Sequence, residues 1–156
     1  MSEVLSLNVA VERRNALREQ GKTLVFTNGH FDLLHVGHLD YMEKARALGD
    51  VLFVGMNGDS STRRLKGVGR PIVPAVERAR LLAALRPVDG VIIFETGTAD
   101  GLIRALLPEI YVKGGDYADR PLPERRTVEM YGGQIALIDY LPDHSTSDLI
   151  QRIKAL

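Results

Sequence analysis

The chain has 156 residues, no cysteine, and equal numbers of basic and acidic side chains, 20 of each. This length suits one domain with a single sizeable core. The charge balance excludes a general attraction to nucleic acid or anionic membranes, and the lack of cysteine excludes disulfides and thiolate metal sites. Charged residues come too early for a secretory signal and no apolar run is long enough to span a membrane, so we expect a cytoplasmic protein with neither nucleic-acid nor membrane partners.

Short apolar segments alternate with helical patterns along the chain. Helices are predicted at residues 8–20, 39–48, 75–85, 99–107, 123–131 and 146–156. Five strands rich in β-branched residues are predicted at residues 23–27, 51–56, 91–94, 110–112 and 135–138. Strands separated by helices favour parallel pairing, since parallel neighbours need crossover connections. The sequence therefore predicts a single α/β domain, Rossmann-like and doubly wound, with a mostly parallel five-stranded sheet and helices on both faces.

Three polar segments rich in glycine or histidine stand out, at residues 28–38, 113–117 and 143–148. The first two follow predicted strands, and the third precedes the last helix. In a doubly wound sheet the first strand is central, and ligands bind outside the carboxyl ends of the strands where the strand order reverses. We therefore expect the three segments to gather at one edge of the sheet.

The strongest motif is Asn-Gly-His-Phe-Asp-Leu-Leu-His-Val-Gly-His at residues 28–38, which follows the first strand and runs into a helix. Free N–H groups and the helix dipole favour an anion there. Gly37 allows a phosphate to approach the backbone, and His35 and His38 are spaced to donate to one phosphate. The alternatives are half of a metal site, with His30 as the only other imidazole nearby, or a structural pair. Dinucleotide and Walker A glycine patterns are absent.

This motif resembles the signature of nucleotidyltransferases of the cytidylyltransferase-like branch, Gly-x-Phe-Asp-x-x-His-x-Gly-His. The matching residues are Gly29, Phe31, Asp32, His35, Gly37 and His38. His30 stands where the family usually has Cys or Thr, which leaves open whether it fills space or adds a donor. The resemblance implies that His35 and His38 are catalytic and that Asp32 binds substrate or ribose, or helps to hold a metal ion. It implies nucleotide or phosphate binding by Gly29, His30, Phe31 and Gly37.

A second element is Ser145-Thr146-Ser147 at the start of the last helix, where the family has Ser-Thr-Thr or Ser-Ser-Thr. The resemblance implies that these residues bind the β and γ phosphates of a triphosphate, since hydroxyls and free N–H groups suit phosphate. Ser145 with Asp148 three residues later is also an ordinary capping box. His144 receives no role.

The third element is Lys113-Gly114-Gly115-Asp116, after the fourth predicted strand. Lys113 suits phosphate charge, the two glycines allow a ligand close to the backbone, and Asp116 suits the hydroxyls of a ribose or sugar. A plain glycine turn is the alternative.

Residues 113–117, with Arg-Leu-Lys-Gly at 64–67 and Gly-Arg-Pro at 69–71, narrow the resemblance to the adenylyltransferase domain of ADP-heptose synthesis. That likeness implies transfer of AMP from ATP, with Mg²⁺, to a sugar 1-phosphate such as D-glycero-D-manno-heptose 1-phosphate, giving ADP-heptose and pyrophosphate. It covers residues 23–153 and leaves 1–22 as a helical extension of one domain. Many such domains are fused to a sugar kinase, so we expect a separate kinase in the pathway, and a homo-oligomer such as a dimer.

Three basic residues are harder to assign from the sequence. Lys66 and Arg70 lie in a Gly-rich loop that could fold over phosphates, with Lys66 as a catalytic cation and Arg70 as a substrate ligand. A solvated loop is the alternative. Arg78 is expected on the surface of a helix, where an ion pair contributes little.

Two other functions remain open at this stage. One is a cytidylyltransferase that acts on glycerol 3-phosphate or a related polyol or amino-alcohol phosphate. The other is a non-catalytic nucleotide sensor on the same fold. Both histidines, the Ser-Thr-Ser helix start and Lys113 favour catalysis, since a sensor needs no donors at the α-phosphate.

Overall fold

A six-stranded parallel sheet organises the computed structural model, which describes residues 2–156. The strands are β1 (Glu3–Val4), β2 (Leu24–Gly29), β3 (Val51–Asn57), β4 (Gly90–Phe94), β5 (Ile110–Gly114) and β6 (Gln134–Ile138). All five predicted strands are present. The sixth, β1, pairs with β4 at the edge of the sheet and lies in the segment that was expected to be helical. Two residues are too few to produce a recognisable strand pattern.

The strand order β1-β4-β3-β2-β5-β6 places the first predicted strand, now β2, between β3 and β5. The chain builds outward from β2 through β3 to β4, then crosses to β5 and β6 on the other side. The strand order therefore reverses at the carboxyl end of β2, as the doubly wound prediction requires.

Alternate side chains of the central strands enter two separate cores, one on each face of the sheet. Val25 of β2 and Leu52 of β3 belong to one core, whereas their neighbours Phe26 and Phe53 belong to the other. Phe26 and Phe53 are paired in register and are almost completely buried. Burial of an aromatic side chain of this size contributes about 1.5–3 kcal/mol. Strands that are covered on both faces explain the nearly continuous apolar runs in the sequence.

Residues 2–156 contain seven α-helices, five of which contribute to the two cores. They are α1 (Leu7–Glu19), α2 (Val36–Arg46), α3 (Asp59–Lys66), α4 (Ala75–Ala83), α5 (Asp100–Leu106), α6 (Arg125–Met130) and α7 (Thr146–Lys154). Buried residues of α2 and α4 line one core, and those of α1, α5 and α6 line the other. The six predicted helices are confirmed to within a few residues at their ends.

Helix α3 was not predicted, because its sequence has no apolar stripe. The helix depends on Glu95, which lies outside it just after β4. The Glu95 carboxylate accepts a hydrogen bond of 2.8 Å from the Ser61 N–H in the first turn. A Cβ on Gly58, directly before the helix, would lie 1.9 Å from the same carboxylate, so a larger residue there would displace Glu95 from this contact. The helix end is therefore capped by a contact that local sequence patterns do not show.

Candidate active site

The three polar segments meet at the carboxyl edge of the sheet, as expected. Lys113 at the end of β5 donates to the Asn28 carbonyl of β2, with an N–O distance of 3.3 Å. The Thr146 hydroxyl at the start of α7 donates to the Leu33 carbonyl at 3.2 Å. Residues 28–38 therefore lie between the other two segments and contact both of them.

The two signature histidines form the amino-terminal cap of α2. His35 occupies the N-cap position, and its Nδ1 accepts a hydrogen bond of 3.1 Å from the Gly37 N–H. His38 is at the third helical position, and its Nδ1 accepts from the His35 N–H at 3.3 Å. This is the arrangement of a capping box, built here from two imidazoles instead of Ser and Glu. The three-residue spacing in the sequence is the spacing that a capping box needs.

Burial keeps both imidazoles in their neutral form near pH 7. It lowers the pKa of His38 to about 4, with a further contribution from the neighbouring His35. The pKa of His35 is also lowered, by burial and by His144. Because Nδ1 of each neutral ring accepts a backbone hydrogen bond, the single ring proton must be on Nε2. The ring centroids are 3.9 Å apart. The helix cap therefore supports two neighbouring Nε2–H donors.

Small residues and an aromatic ring shape the space around these donors. A Cβ on Gly37 would lie 2.9 Å from the His35 ring and 3.0 Å from the His144 Cβ. A Cβ on Gly29 would contact the Phe31 ring at 3.0 Å. Phe31 has a left-handed backbone with φ of 51° and places its ring edge-on to His38, at a centroid distance of 5.5 Å. Gly29 and Phe31 therefore support the histidine pair within the protein, and Gly37 leaves the helix start unobstructed.

His30 lies in the positively charged part of the site. Its Nδ1 is 2.9 Å from the Thr62 hydroxyl of α3. Burial, together with the charges of Lys66, Arg78 and Lys113, lowers the pKa of His30 to about 4. The cations predicted from two distant segments, Lys66 and Lys113, are therefore both close enough to act on one imidazole. Lys66 is the last residue of α3 and not part of a loop, which corrects the sequence prediction.

Lys113 approaches the site from the end of β5. Burial lowers the pKa of Lys113, while the charges of Glu124 and Asp116 oppose that shift. Its ammonium lies 5.1 Å from the centre of the Tyr117 ring, and the Arg120 guanidinium lies 4.0 Å from the same ring. The Tyr117 ring therefore contacts two cations at the edge of the site.

Side chains from the end of β6 lie close to both residues of the Gly-Gly pair. A Cβ on Gly114 would lie 2.0 Å from the Tyr140 hydroxyl, and a Cβ on Gly115 would lie 2.3 Å from an Asp139 carboxylate oxygen. The lack of a Cβ therefore makes room for these two exposed side chains, and ligand binding beside the glycines stays a prediction. Asp116 pairs with Arg120 through one oxygen of its carboxylate in an exposed ion pair, and its contact to a ribose or sugar stays a prediction.

The Asp32 carboxylate is hydrogen-bonded to the protein backbone. Its buried carboxylate accepts from the N–H groups of Ile72 and Val73 at 2.8–2.9 Å and pairs with Arg70 at 3.2 Å. Burial raises the pKa of Asp32, but these N–H groups and Arg70 outweigh burial and hold the pKa below its usual value. Asp32 therefore anchors residues 70–73, and its assignment as a sugar or metal ligand stays a prediction.

The start of α7 combines a cap with a contact to the signature. The Ser145 hydroxyl accepts from the Asp148 N–H at 3.0 Å, so the ordinary capping role is present. Thr146 is held on the signature loop by its hydroxyl, whereas Ser147 is exposed. These geometries are compatible with phosphate binding by the first turn of α7, which remains a prediction.

Arg78 is the residue that the sequence analysis misplaced most. It is fully buried, and its guanidinium donates to the carbonyls of His30, Asn57 and Val73 at 2.6–2.8 Å. It also pairs with Asp59 at 2.8 Å. The helical pattern around Arg78 does place it next to Ala79 and Leu82 on the core-facing side, but an arginine on that side is usually a surface residue.

The described residues 2–156 contain no cluster of three or more His, Asp or Glu side chains that could hold a metal ion. Within the same residues, none of the helices is long and apolar enough to cross a membrane.

The fold and the site together are those of a nucleotidyltransferase. The chain belongs to the cytidylyltransferase-like family, which it matches over residues 26–152. The family inferred from the signature is thereby confirmed, and with it the class of enzyme.

The chain is also similar to longer proteins named bifunctional protein HldE. It is 52% identical over 136 residues to the protein of Syntrophotalea carbinolica, covering 87% of this chain and 28% of that protein. Identity to the protein of Geotalea uraniireducens is 46% over 153 residues, with 98% of this chain and 31% of that protein covered. The protein of Alcanivorax borkumensis is 44% identical over 154 residues, or 99% and 32% of the two chains. This chain therefore spans less than a third of the length of these relatives.

Two solved structures share the fold. A lipopolysaccharide core biosynthesis protein from Thermoplasma volcanium GSS1 has a TM-score of 0.63 and 27% identity, covering 78% of this chain and 98% of that one. Pantoate-beta-alanine ligase from Francisella tularensis has a TM-score of 0.64 at 15% identity, covering 99% and 77%. The second likeness shows the fold alone.

Proposed function

We propose that this domain transfers AMP from ATP to a sugar 1-phosphate, with a D-glycero-D-manno-heptose 1-phosphate as the acceptor, and releases pyrophosphate. The observation that carries the proposal is the pair of neutral imidazoles at the start of α2, each with its proton on Nε2. The choice of ATP and of a heptose rests on the resemblance of residues 64–71 and 113–117 to the adenylyltransferase domain of ADP-heptose synthesis.

In the proposed reaction a phosphate oxygen of the acceptor attacks the α-phosphorus of ATP. The bond from the α-phosphorus to the oxygen bridging to the β-phosphate breaks, and that oxygen leaves with pyrophosphate. A phosphate monoester has a second pKa near 6 and is mostly dianionic at neutral pH, so the acceptor needs no general base. The protein has to align the reactants and stabilise the charge that shifts onto the phosphate oxygens.

His35 and His38 are suited to that stabilisation. Their Nε2–H groups lie side by side at the helix start, where the dipole also favours negative charge. Lys66 and Lys113, whose charges both act on His30, would offset the charge of the triphosphate. Because the imidazoles are neutral, they supply hydrogen-bond donors without repelling the nearby ammonium groups of Lys66 and Lys113.

A divalent cation normally accompanies ATP in such reactions and neutralises its phosphates. The described residues 2–156 hold no ready-made metal site, and the Asp32 carboxylate is already occupied. Mg²⁺ would therefore be held mainly by the phosphates and water.

The test is a substrate matrix of ATP, CTP, GTP and UTP, each combined with heptose 1-phosphate and with glycerol 3-phosphate. Pyrophosphate release gives the rate, and mass spectrometry identifies the nucleotide sugar. We expect ATP with heptose 1-phosphate to be the fastest pair. A preference for CTP with glycerol 3-phosphate would overturn the assignment to ADP-heptose synthesis. Nucleotide binding without pyrophosphate release from any pair would favour the sensor.

A further inference from the structure

The connection between α3 and α4 lies over the signature loop and carries Arg70 at its centre. Gly67 and Gly69 in this connection adopt left-handed backbones, with φ of 97° and 87°. Val68 between them is 99% exposed. The first half of the connection, residues 67–69, is therefore anchored weakly, whereas residues 72 and 73 are tied to buried side chains.

Val73 is held through both of its backbone polar groups. Its N–H donates to the Asp32 carboxylate at 2.9 Å, and its carbonyl accepts from the Arg78 guanidinium at 2.7 Å. Arg78 in turn donates to the His30 carbonyl at 2.6 Å. Asp32 and His30 belong to the same signature loop, so a closed circuit of hydrogen bonds joins this loop, Val73 and α4.

We infer that Asp32 and Arg78 form a clamp on Val73, the Val73 clamp, which positions Arg70 and the end of α3 for the reaction. Asp32 accepts from Arg70 as well as from Val73. One carboxylate therefore holds the backbone of the connection and orients the Arg70 guanidinium. Lys66 ends α3 directly before the connection. Fixing the connection before substrate binds avoids an entropy cost at that step and keeps the cations close to their working positions.

This inference rests on the proposed function, and Asp32 acts in it as a positioning residue without contact to substrate. Its test is the substitution Asp32→Asn. The amide keeps one acceptor oxygen but loses the charge opposite Arg70, and it cannot satisfy the same three donors. We expect kcat to fall about 10- to 100-fold, while KM for ATP changes by less than about threefold.

A matched control separates positioning from general stability. Asp89, just before β4 at the opposite edge of the sheet, also accepts from a backbone N–H, that of Leu52 at 2.8 Å, and pairs with Arg46 at 3.1 Å. Asp89→Asn therefore makes the same chemical change far from the site, at a more exposed carboxylate with one backbone donor. We expect it to lower the melting temperature while leaving kcat close to that of the parent. A folded Asp32→Asn protein that keeps the parent kcat and KM would overturn the inference.

Amide hydrogen exchange in the parent protein tests the clamp without any activity. The N–H groups of Ile72 and Val73 should be protected, since Asp32 accepts from both. Those of Val68 and Gly69 make no hydrogen bond within residues 2–156 and should exchange rapidly. Equal exchange at all four positions would refute the clamp, even if Asp32→Asn failed to fold.

Hydrogen exchange also separates failure of the clamp from failure of the proposed function. If the parent releases no pyrophosphate from any substrate pair, the proposed function fails. Protection of Ile72 and Val73 that is lost in Asp32→Asn would then still support the clamp, and lack of protection would overturn it.

Discussion

Replacing His38 by Asn tests the proposed catalytic donor, Nε2–H, separately from the Nδ1 acceptor that caps the helix. His38→Ala would remove both, and an unsatisfied His35 N–H would cost about 1–3 kcal/mol of stability if it remained buried. In His38→Asn, the amide oxygen takes roughly the place of Nδ1 and still accepts from His35, while the Nε2–H donor is lost. Loss of one preorganised donor to a developing oxyanion lowers turnover about a hundredfold to a thousandfold, or about 3–4 kcal/mol of barrier.

The assay is single-turnover pyrophosphate release at saturating ATP and sugar phosphate, with the melting temperature measured separately. The control is His144→Asn, which alters an exposed imidazole whose Nδ1 contacts the Pro142 carbonyl. We expect the control to stay within about threefold of the parent, because it removes no donor at the α-phosphate. A folded His38→Asn protein that is as fast as the control would refute the catalytic role of His38.

Two further predictions concern packing and pH. Gly37→Ala places a methyl group 2.9 Å from the His35 ring, so we expect a loss of about 1–3 kcal/mol of stability together with most of the activity. Gly101→Ala, at an open position in α5, should instead stabilise the protein by about 0.5–1 kcal/mol; equal melting temperatures for the two variants would contradict this. The pKa values of His30 and His38 are lowered from 6.5 to about 4. The unfolded chain therefore takes up protons that the folded protein does not bind, so the free energy of unfolding should fall as the pH drops from 6.5 to 4. We expect His38 to contribute at most about 3 kcal/mol to this fall, and His30 less, because solvent screens it more. Denaturant titrations should show a shallower fall when both are replaced by Asn, and an unchanged slope would be inconsistent with neutral histidines.

The sheet and most helices could be predicted because their signals are local. Strands β2 to β6 carry β-branched apolar runs, and helices end at glycine or before proline. Two elements were missed for opposite reasons. The edge strand Glu3–Val4 is too short to have a period, and α3 is capped by Glu95 from another part of the chain.

The site was predictable where one motif contains the whole structural unit. His35, Gly37 and His38 lie within a single helix start, so their relation follows from the spacing alone. The anchoring contacts of Asp32 were not predicted, because its partners lie about forty residues further along the chain. Nothing in the local sequence shows that the carboxylate is already satisfied. The hydrogen-bond partners of a buried carboxylate must be known before it is assigned to a ligand.

The histidine pair shows how one set of atoms serves both folding and the proposed chemistry. Each imidazole has two nitrogens, and the helix cap uses Nδ1 of both His35 and His38. That use fixes the remaining proton on Nε2 of each neutral ring, which is the state required to donate to a phosphate. A protonated His38 could no longer accept the His35 N–H, so the burial that lowers the pKa also preserves the cap. The stability of the helix start and the ability to donate to a phosphate as proposed therefore depend on the same neutral state of the imidazoles. Protonation of His38 should weaken the helix cap and disturb the donor pair at the same time.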